Sequence, residues 1–225
     1  MINDDPRLRL SDDDGVELAG EDAESKSLHE TEFVVVDVET TGAKTPPARI
    51  MEIGAYRVAR GRIVAEFETL VNPESHIPFY ISQLTGITNA MVGKAPVFSD
   101  VAQDWLRFAG ESVLIAHNAP FDVRFLNHEI ARLYPGRRML NAHLCTVSLA
   151  RRMLPELSSH KLDALAEHFS IPIPARHRAP SDALATAEVF LHMLSRLSEH
   201  GVTNLAQARR FKLRSALIDA LRKNG

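Results

Sequence analysis

FVVVDVETTG, residues 33–42, begins as a buried strand and ends as something a core strand should not be. Phe33 to Val36 is an unbroken apolar run, the pattern of a strand covered on both faces. Asp37 and Glu39 follow with only Val38 between them, and a Thr40-Thr41-Gly42 turn closes the stretch. Side chains two apart on a strand share a face, so both carboxylates point at one spot. Two negative charges held together at the end of a core strand call for a positive partner.

The segments around this strand read as an alternation of strands and helices. Residues 49–59 and 62–71 alternate well enough for two strands joined as a hairpin at Arg60-Gly61. VNPESHIP reads as loop, and ISQLTGIT, 81–88, as a short helix and turn. Residues 98–109 place Val101, Trp105 and Phe108 on one helical face. SVLIAH, 112–117, is a second buried strand, and a helix over 120–133 opens with Pro120 in its first turn, where proline is tolerated. A short strand at 140–145 and helices at 146–153 and 161–169 come next. After the proline-broken loop IPIPARHRAP, a helix over 182–198 is expected, capped by Ser181. This order predicts an α/β fold of three layers with a mixed sheet.

Composition bounds the function classes. The chain has 225 residues, 45% hydrophobic and 24% charged, enough for one domain with a real core. No apolar run approaches the roughly 20 residues that span a bilayer, so no membrane partner is expected. The acidic start lacks the basic flank and apolar stretch of a secretory leader, and its acidity argues against an organelle transit peptide. A single cysteine, Cys145, excludes an internal disulfide framework and a thiolate zinc cluster, and reads as a buried core thiol. A cytoplasmic location is expected.

Charge is distributed unevenly. Residues 1–30 hold ten acids against Arg7, Arg9 and Lys26, a balance of −7, and read as a disordered acidic tail. Residues 31–200 are close to balanced and form the expected folded domain. Residues 201–225 carry six basic side chains against Asp219, a balance of +5, and read as a basic helical extension. Such a segment can attract nucleic acid, and a solvated helix explains it equally well.

Two further places put acids and histidines where folding alone does not ask for them, and a third is a turn of small residues. HNAPFD, 117–122, has His117 ending a strand and Asp122 in the first turn of the next helix. HRAPSD, 177–182, again sets an acid, Asp182, five residues after a histidine, His177. The Thr40-Thr41-Gly42 turn is small enough to let a ligand reach the backbone. Each has an ordinary explanation by itself: a solvated turn, an acid complementing a helix dipole, a surface histidine. Together they bring carboxylates from separate element ends, where ligands gather in α/β folds. Clustered carboxylates repel, and without a cation some take up protons. Oxygen ligands without thiolate select a hard ion such as Mg²⁺ or Mn²⁺. Two such ions about 3.5 to 4 Å apart can serve phosphoryl hydrolysis.

FVVVDVETTG, HNAPFD and HRAPSD resemble, in order and spacing, the three motifs of the DEDDh family of 3′→5′ exonucleases, which includes the proofreading ε subunit of bacterial DNA polymerase III, ribonuclease T and oligoribonuclease. The resemblance covers about residues 32–198, and QLTGIT, 83–88, is similar to the family's segment between its first two motifs. It implies a ribonuclease H-like fold with a five-stranded mixed sheet and helices on both faces. It also implies two Mg²⁺ (or Mn²⁺) ions, with Asp37, Glu39 and Asp182 as direct ligands of one and Asp37 bridging to the other. Asp122 would belong to the metal shell and His177 would be the general base. Backbone amides at Glu39, Thr40 and Thr41 would hold the 3′-terminal nucleotide, with Tyr80, Thr85 and Ile87 at positions that contact the terminal base.

The expected function is a metal-dependent 3′→5′ exonuclease releasing nucleoside 5′-monophosphates from single-stranded DNA or RNA 3′ ends, in proofreading or repair. The alternatives are an RNA-trimming exoribonuclease and a polymerase-tethered or nucleic-acid-binding module with little catalysis. The intact set Asp37, Glu39, Asp122, His177 and Asp182 favours catalysis, because a binder gains nothing from such repulsion. A DNA polymerase subunit or clamp is an expected partner. QARRF, 207–211, is the one clamp-peptide-like stretch, and it reads better as an amphipathic helix. Monomer and dimer are both open.

Overall fold

The computed structural model describes residues 8–10 and 24–213. Its centre is a mixed sheet of β2 (Phe33–Thr40), β3 (Ile50–Ala59), β4 (Arg62–Leu70), β5 (Val113–Ala116) and β7 (His143–Cys145), in the order β4-β3-β2-β5-β7. The hairpin β3–β4 turns at Arg60 and Gly61, both at positive φ, as a two-residue hairpin turn requires. β2 runs antiparallel to β3 and parallel to β5. Two smaller strands, β1 (Leu8–Leu10) and β6 (Arg137–Met139), pair with each other outside this sheet.

Helices cover both faces. The run Phe33–Val36 is buried throughout, and its alternation assigns the two sides. Val34, Val36 and Val38 pack against α3 (Phe98–Ala109) and α4 (Ala119–Leu133), through Trp105, Leu106, Phe125 and Ile130. Phe33 and Val35 pack with α5 (Thr146–Met153), α6 (Leu162–His168), α7 (Ala179–Glu199) and α8 (Leu205–Arg210). Each large apolar side chain so buried contributes roughly 1.5 to 3 kcal/mol. A third, small cluster of Met51, Ile77, Ile81, Ile87 and Val92 sits under α1 (Phe79–Thr85) and α2 (Asn89–Val92). The expected three-layer α/β architecture is the one found.

Four details differ from the sequence expectation. α7 starts at Ala179, three residues early, because Pro180 fits the first helical turn. Ser181 therefore lies inside the helix, and its hydroxyl accepts from the Ala175 amide at 3.3 Å instead of capping. β6 and α2 are additional short elements. Residues 8–10 and 24–30, read as part of a disordered tail, are placed in the fold. Leu8 is buried beside α4 and β6, the Leu28 amide donates to Thr203 O at 2.7 Å, and Glu24 pairs with Arg209 at 3.1 Å. Apolar and basic partners further along the chain offset the charge that argued for disorder. The basic extension is described only to Leu213, where α8 packs Leu205 and Ala208 into the second core cluster, so QARRF is partly core. Residues 214–225 lie outside the described residues.

One close approach fixes the sheet against α7. Gly54 stands opposite Asp37 in the β2–β3 register, and a Cβ there would overlap the backbone of Ala179 and Pro180. Backbone cannot swing aside as a flexible side chain can. Gly54→Ala is expected to destabilise the protein by at least about 1 to 3 kcal/mol, the range for overpacking a filled interior, read as a lowered urea midpoint at unchanged m-value.

Candidate active site

The site forms where parallel pairing stops. β2 and β5 pair from Phe33–Val113 to Val35–Ile115 and no further, so the later amides of β2 are left without that neighbour. Val38 N–H donates instead to Asp122 Oδ1 at 3.2 Å. Asp122 is brought there by the first turn of α4, whose preceding residue, Asn118, takes a left-handed conformation (φ 87°, ψ 51°) that asparagine tolerates well. One side-chain bond thus seats an acid from α4 between the two acids of β2. The β2–β3 register also shifts between Glu39 and Thr40, an irregularity that re-aims side chains at strand ends.

The third contribution comes from the start of α7. Asp182 Oδ2 accepts the backbone N–H of His177 at 3.1 Å, with His177 at φ +58°. Ligand atoms of Glu39, His177 and Asp182 all lie within 4.8 Å of one another. Asp37 and Asp122 belong to the same electrostatic cluster. Burial and then the charges of Asp122, Glu39 and Asp182 push Asp37 well above the usual carboxylate range. Burial pushes Asp122 up as well, against the pull of the Val38 amide. Burial, followed by the charges of Asp182 and Glu52, pushes Glu39 up to about 7.

The five residues predicted for metal and proton chemistry therefore converge. The predicted nucleotide contacts do so unevenly. Thr40 and Thr41 are buried in the turn, where Thr40 Oγ1 donates to Gly42 O at 2.8 Å and Thr41 Oγ1 accepts the Arg49 amide at 3.0 Å. Thr85 and Ile87 are also buried: Thr85 Oγ1 bonds within the α1 turn, and Ile87 fills the third core cluster. Their side chains hold α1 in place and do not face solvent. Tyr80, 66% exposed, does, together with Phe79 (77%) and Leu84 (52%).

A cation fits this site on the chemistry of its donors. Carboxylate oxygens and one imidazole are a hard to intermediate set. Asp182 is only 5% exposed, and its Oδ1 is buried with no hydrogen-bond partner among the described residues. Three acids lifted by burial and mutual repulsion are the expected state of a divalent site without its ion. His117, by contrast, is held neutral: burial and then Arg176 lower it to about 4, and its Nδ1 meets Thr146 Oγ1 at 3.0 Å.

Several supporting residues were not anticipated from sequence. Glu52, opposite Glu39 in register, accepts both oxygens' worth of hydrogen bonds from Arg178 Nε, at 3.1 Å each, and the Ala179 amide at 2.8 Å. This pair locks the residue after His177 to β3. Glu129, two turns beyond Asp122, takes a bidentate pair from Arg49 (2.7 and 2.9 Å) and the Ile50 amide at 3.3 Å. Arg49 in turn accepts the Thr41 amide, so the Thr turn and α4 are tied together. The signal was present as charged residues on otherwise buried faces, Glu52 within IMEIGA and Glu129 between Leu126 and Ile130. A cleft of about 470 Å³ beside Glu52 and Arg178, lined also by Glu68, Lys94 and Pro180, contains none of the five convergent residues.

Two outcomes are expected. Glu129→Ala leaves buried Arg49 with only the exposed Glu74 as a partner and should cost about 3 kcal/mol, the low end of the range for breaking a buried pair from one side, read by denaturant unfolding. For pH, Glu39 binds its proton more tightly folded, at about 7, than unfolded, near the ordinary 4.5. The metal-free protein is therefore expected to lose stability as pH rises from about 4.5 to 7 and to level off above. Glu39→Gln should flatten that slope, measured as melting temperature against pH in EDTA.

A family model described as Exonuclease (RNase_T) matches residues 34–190. DNA polymerase III PolC-type from Caldanaerobacter subterraneus subsp. tengcongensis is 42% identical over 195 residues, which is 87% of this chain and 14% of that relative. The chain thus spans a small part of the length of these large relatives. DNA polymerase III subunit epsilon from Aquifex aeolicus is 38% identical over 165 residues, covering 73% of this chain and 81% of that protein. The solved structure of Exonuclease X in complex with 5′ overhanging duplex DNA is 28% identical with a TM-score of 0.60, covering 74% of this chain and 93% of that one. Exonuclease I, at 17% identity and a TM-score of 0.63, shares the ribonuclease H-like fold. The chain belongs to the exonuclease family, in its DEDDh branch.

Proposed function

We propose that this protein is a divalent-metal-dependent 3′→5′ exonuclease that releases nucleoside 5′-monophosphates from DNA 3′ ends. The observation that carries this reading is the convergence of Glu39, His177 and Asp182 within 4.8 Å, beside Asp37 and Asp122, at the splayed end of β2. Asp37, Glu39 and Asp182 would hold one Mg²⁺ or Mn²⁺, Asp37 would reach a second, and Asp122 would act through the shell around them. When bound, such a pair of ions activates the attacking water and neutralises the departing 3′-oxygen.

The chain's own residues do the rest. His177 accepts the proton of the attacking water. An imidazole suits this exchange near neutral pH, and the Asp182 bond to its backbone amide fixes where it stands. Arg178, held by Glu52, keeps the loop from drifting. The backbone amide of Thr40 would approach the terminal nucleotide, while that of Thr41 is already donated to Arg49 O. Tyr80, joined by exposed Phe79 and Leu84, offers apolar and aromatic surface on which an unpaired terminal base can stack, worth about 1 to 3 kcal/mol per base.

DNA is favoured over RNA because the Exonuclease X relative was solved on duplex DNA with a 5′ overhang, and other relatives are DNA polymerase III proteins. Association with a polymerase follows from the same relatives. A cytoplasmic setting fits, and among the described residues no helix is long and apolar enough to cross a membrane.

Time courses on matched DNA and RNA oligonucleotides with Mg²⁺, Mn²⁺ or EDTA test the reading. Wild type should shorten the DNA from its 3′ end one nucleotide at a time and stop in EDTA. Asp37→Ala and Asp182→Ala should reduce turnover by at least about a thousandfold while remaining folded by circular dichroism, since each removes charge stabilisation acting in the transition state. His177→Ala should lower turnover by about 10²- to 10⁴-fold, with a much smaller change in metal affinity. Trimming by Asp37→Ala at the wild-type rate overturns the assignment.

A further inference from the structure

Two arginines flank His177, and they are used differently. Arg178 is spent on buried Glu52, with three hydrogen bonds and the Ala179 amide closing the carboxylate. Arg176 bridges two carboxylates of unlike kind. Its Nε and Nη2 engage Asp163 in the first turn of α6, whose side chain is 62% exposed. Its Nη1 pairs with Oδ2 of Asp182, whose side chain is 6% exposed. The Asp163 pair alone is an exposed ion pair of the kind that contributes little to stability, so it does not explain why the guanidinium is drawn inward.

The acid cluster does explain it. Arg176 is a positive charge within reach of Asp37 and Glu39 as well as Asp182, and its field pulls against the rise in both. It engages the oxygen of Asp182 that His177 N–H also holds, and Oδ1 of the same carboxylate has no hydrogen-bond partner among the described residues. Arg176 sits on a loop with a second, exposed acid behind it and can leave; Arg178, though 37% exposed, has no second acid to withdraw to among the described residues and is held by three hydrogen bonds to buried Glu52.

We propose that Arg176 is the internal cation of the metal-free site, that a divalent ion entering the site displaces it from Asp182, and that Asp163 is the holder to which it withdraws. Metal affinity is then a difference between the ion's attraction and that of Arg176. Without metal the guanidinium holds the acids together, and with metal it retires to α6 as a surface pair. Arg176 is in this sense a positioning residue for the site, and the proposal rests on the metal reading above.

Calorimetric titration of the full chain with MnCl₂, without nucleic acid, tests it. Arg176→Gln is expected to bind Mn²⁺ about tenfold more tightly than wild type, and to melt at a lower temperature in EDTA at pH 8 but not in saturating Mn²⁺. Asp163→Asn removes the holder, makes withdrawal harder, and should weaken Mn²⁺ binding. Because Asp163 acts through Arg176, the double variant should match Arg176→Gln. Arg176→Lys keeps charge without the two-sided fork and should fall between; it serves if the glutamine variant misfolds. Wild-type binding with an affinity unmoved or weakened in Arg176→Gln overturns the exchange and leaves the metal site standing. A double variant weaker than Arg176→Gln shows Asp163 acting by its own field and overturns its part. Absence of Mn²⁺ binding by wild type overturns the metal site itself, and the role of Arg176 with it.

Discussion

Mutual repulsion among Asp37, Glu39, Asp122 and Asp182 is the constraint to which the surrounding structure answers. Two unit charges 4 Å apart in a protein-like medium repel by about 4 kcal/mol, a large fraction of the stability of an ordinary domain. A chain left to itself would let such acids drift to water. Here they arrive on three elements, β2, α4 and α7, each anchored by apolar packing on one face of the sheet. Burial first, and the repulsion after it, then appear as raised proton affinity in place of displacement, which is what the upward shifts of Asp37, Glu39 and Asp122 express. Burial in a rigid frame converts a folding cost into an appetite for cations.

The charges around the cluster fall into two groups by how firmly they are held. Glu52 and Glu129 are buried acids, each paired bidentately with an arginine and closed by a backbone amide, so taking the arginine away strands a buried charge. They act as girders: one ties the His177 loop to β3, the other ties the Thr turn to α4. Arg176 is held by one buried and one exposed acid, and it belongs to the group that can move. Placing both kinds within three residues, on either side of His177, lets the loop stay fixed while its charge balance changes. Gly54 completes the fixed part by letting the backbone of Ala179 and Pro180 lie directly on β3.

Much of this was legible in the sequence. Phe33–Val36 announced a central strand by its unbroken apolar character, and Asp37 and Glu39 announced a site by interrupting it. The order of the three motifs named the fold. What was illegible depended on register and on contacts between distant segments. That Glu52 stands opposite Glu39, or that Gly54 faces Ala179, follows from a hairpin alignment that alternation alone leaves free by a residue. Thr85 and Ile87 stand at nucleotide-contact positions of a motif, yet the one is bonded within its own turn and the other fills a local core, and their exposed neighbours Phe79 and Leu84 carry no motif to mark them. The acidic N-terminal stretch misled for a related reason. Composition measures what a segment can bury by itself, and Leu8, Glu24 and Leu28 are held by partners more than a hundred residues away.

That last point bears on what the folded unit is. The family match runs from residue 34 to residue 190, but the second core cluster does not close at its edges. Met193 and Leu197 at the end of α7, then Leu205 and Ala208 of α8, continue the same apolar surface and are fully buried. Leu28 packs on it from the other end of the chain, Ser27 bridges to Asn204, and Arg209 joins Glu24 to His143 O on β7. The flanks therefore clasp each other over the face of the sheet that carries Phe33 and Val35, the face on which Asp37 and Glu39 also lie by strand alternation. Trimming the chain to its matched region would uncover apolar surface beneath α7, the helix that delivers Asp182. The acid cluster is thus supported from outside its own motifs, and the segments that look least like an exonuclease help hold the exonuclease site in place.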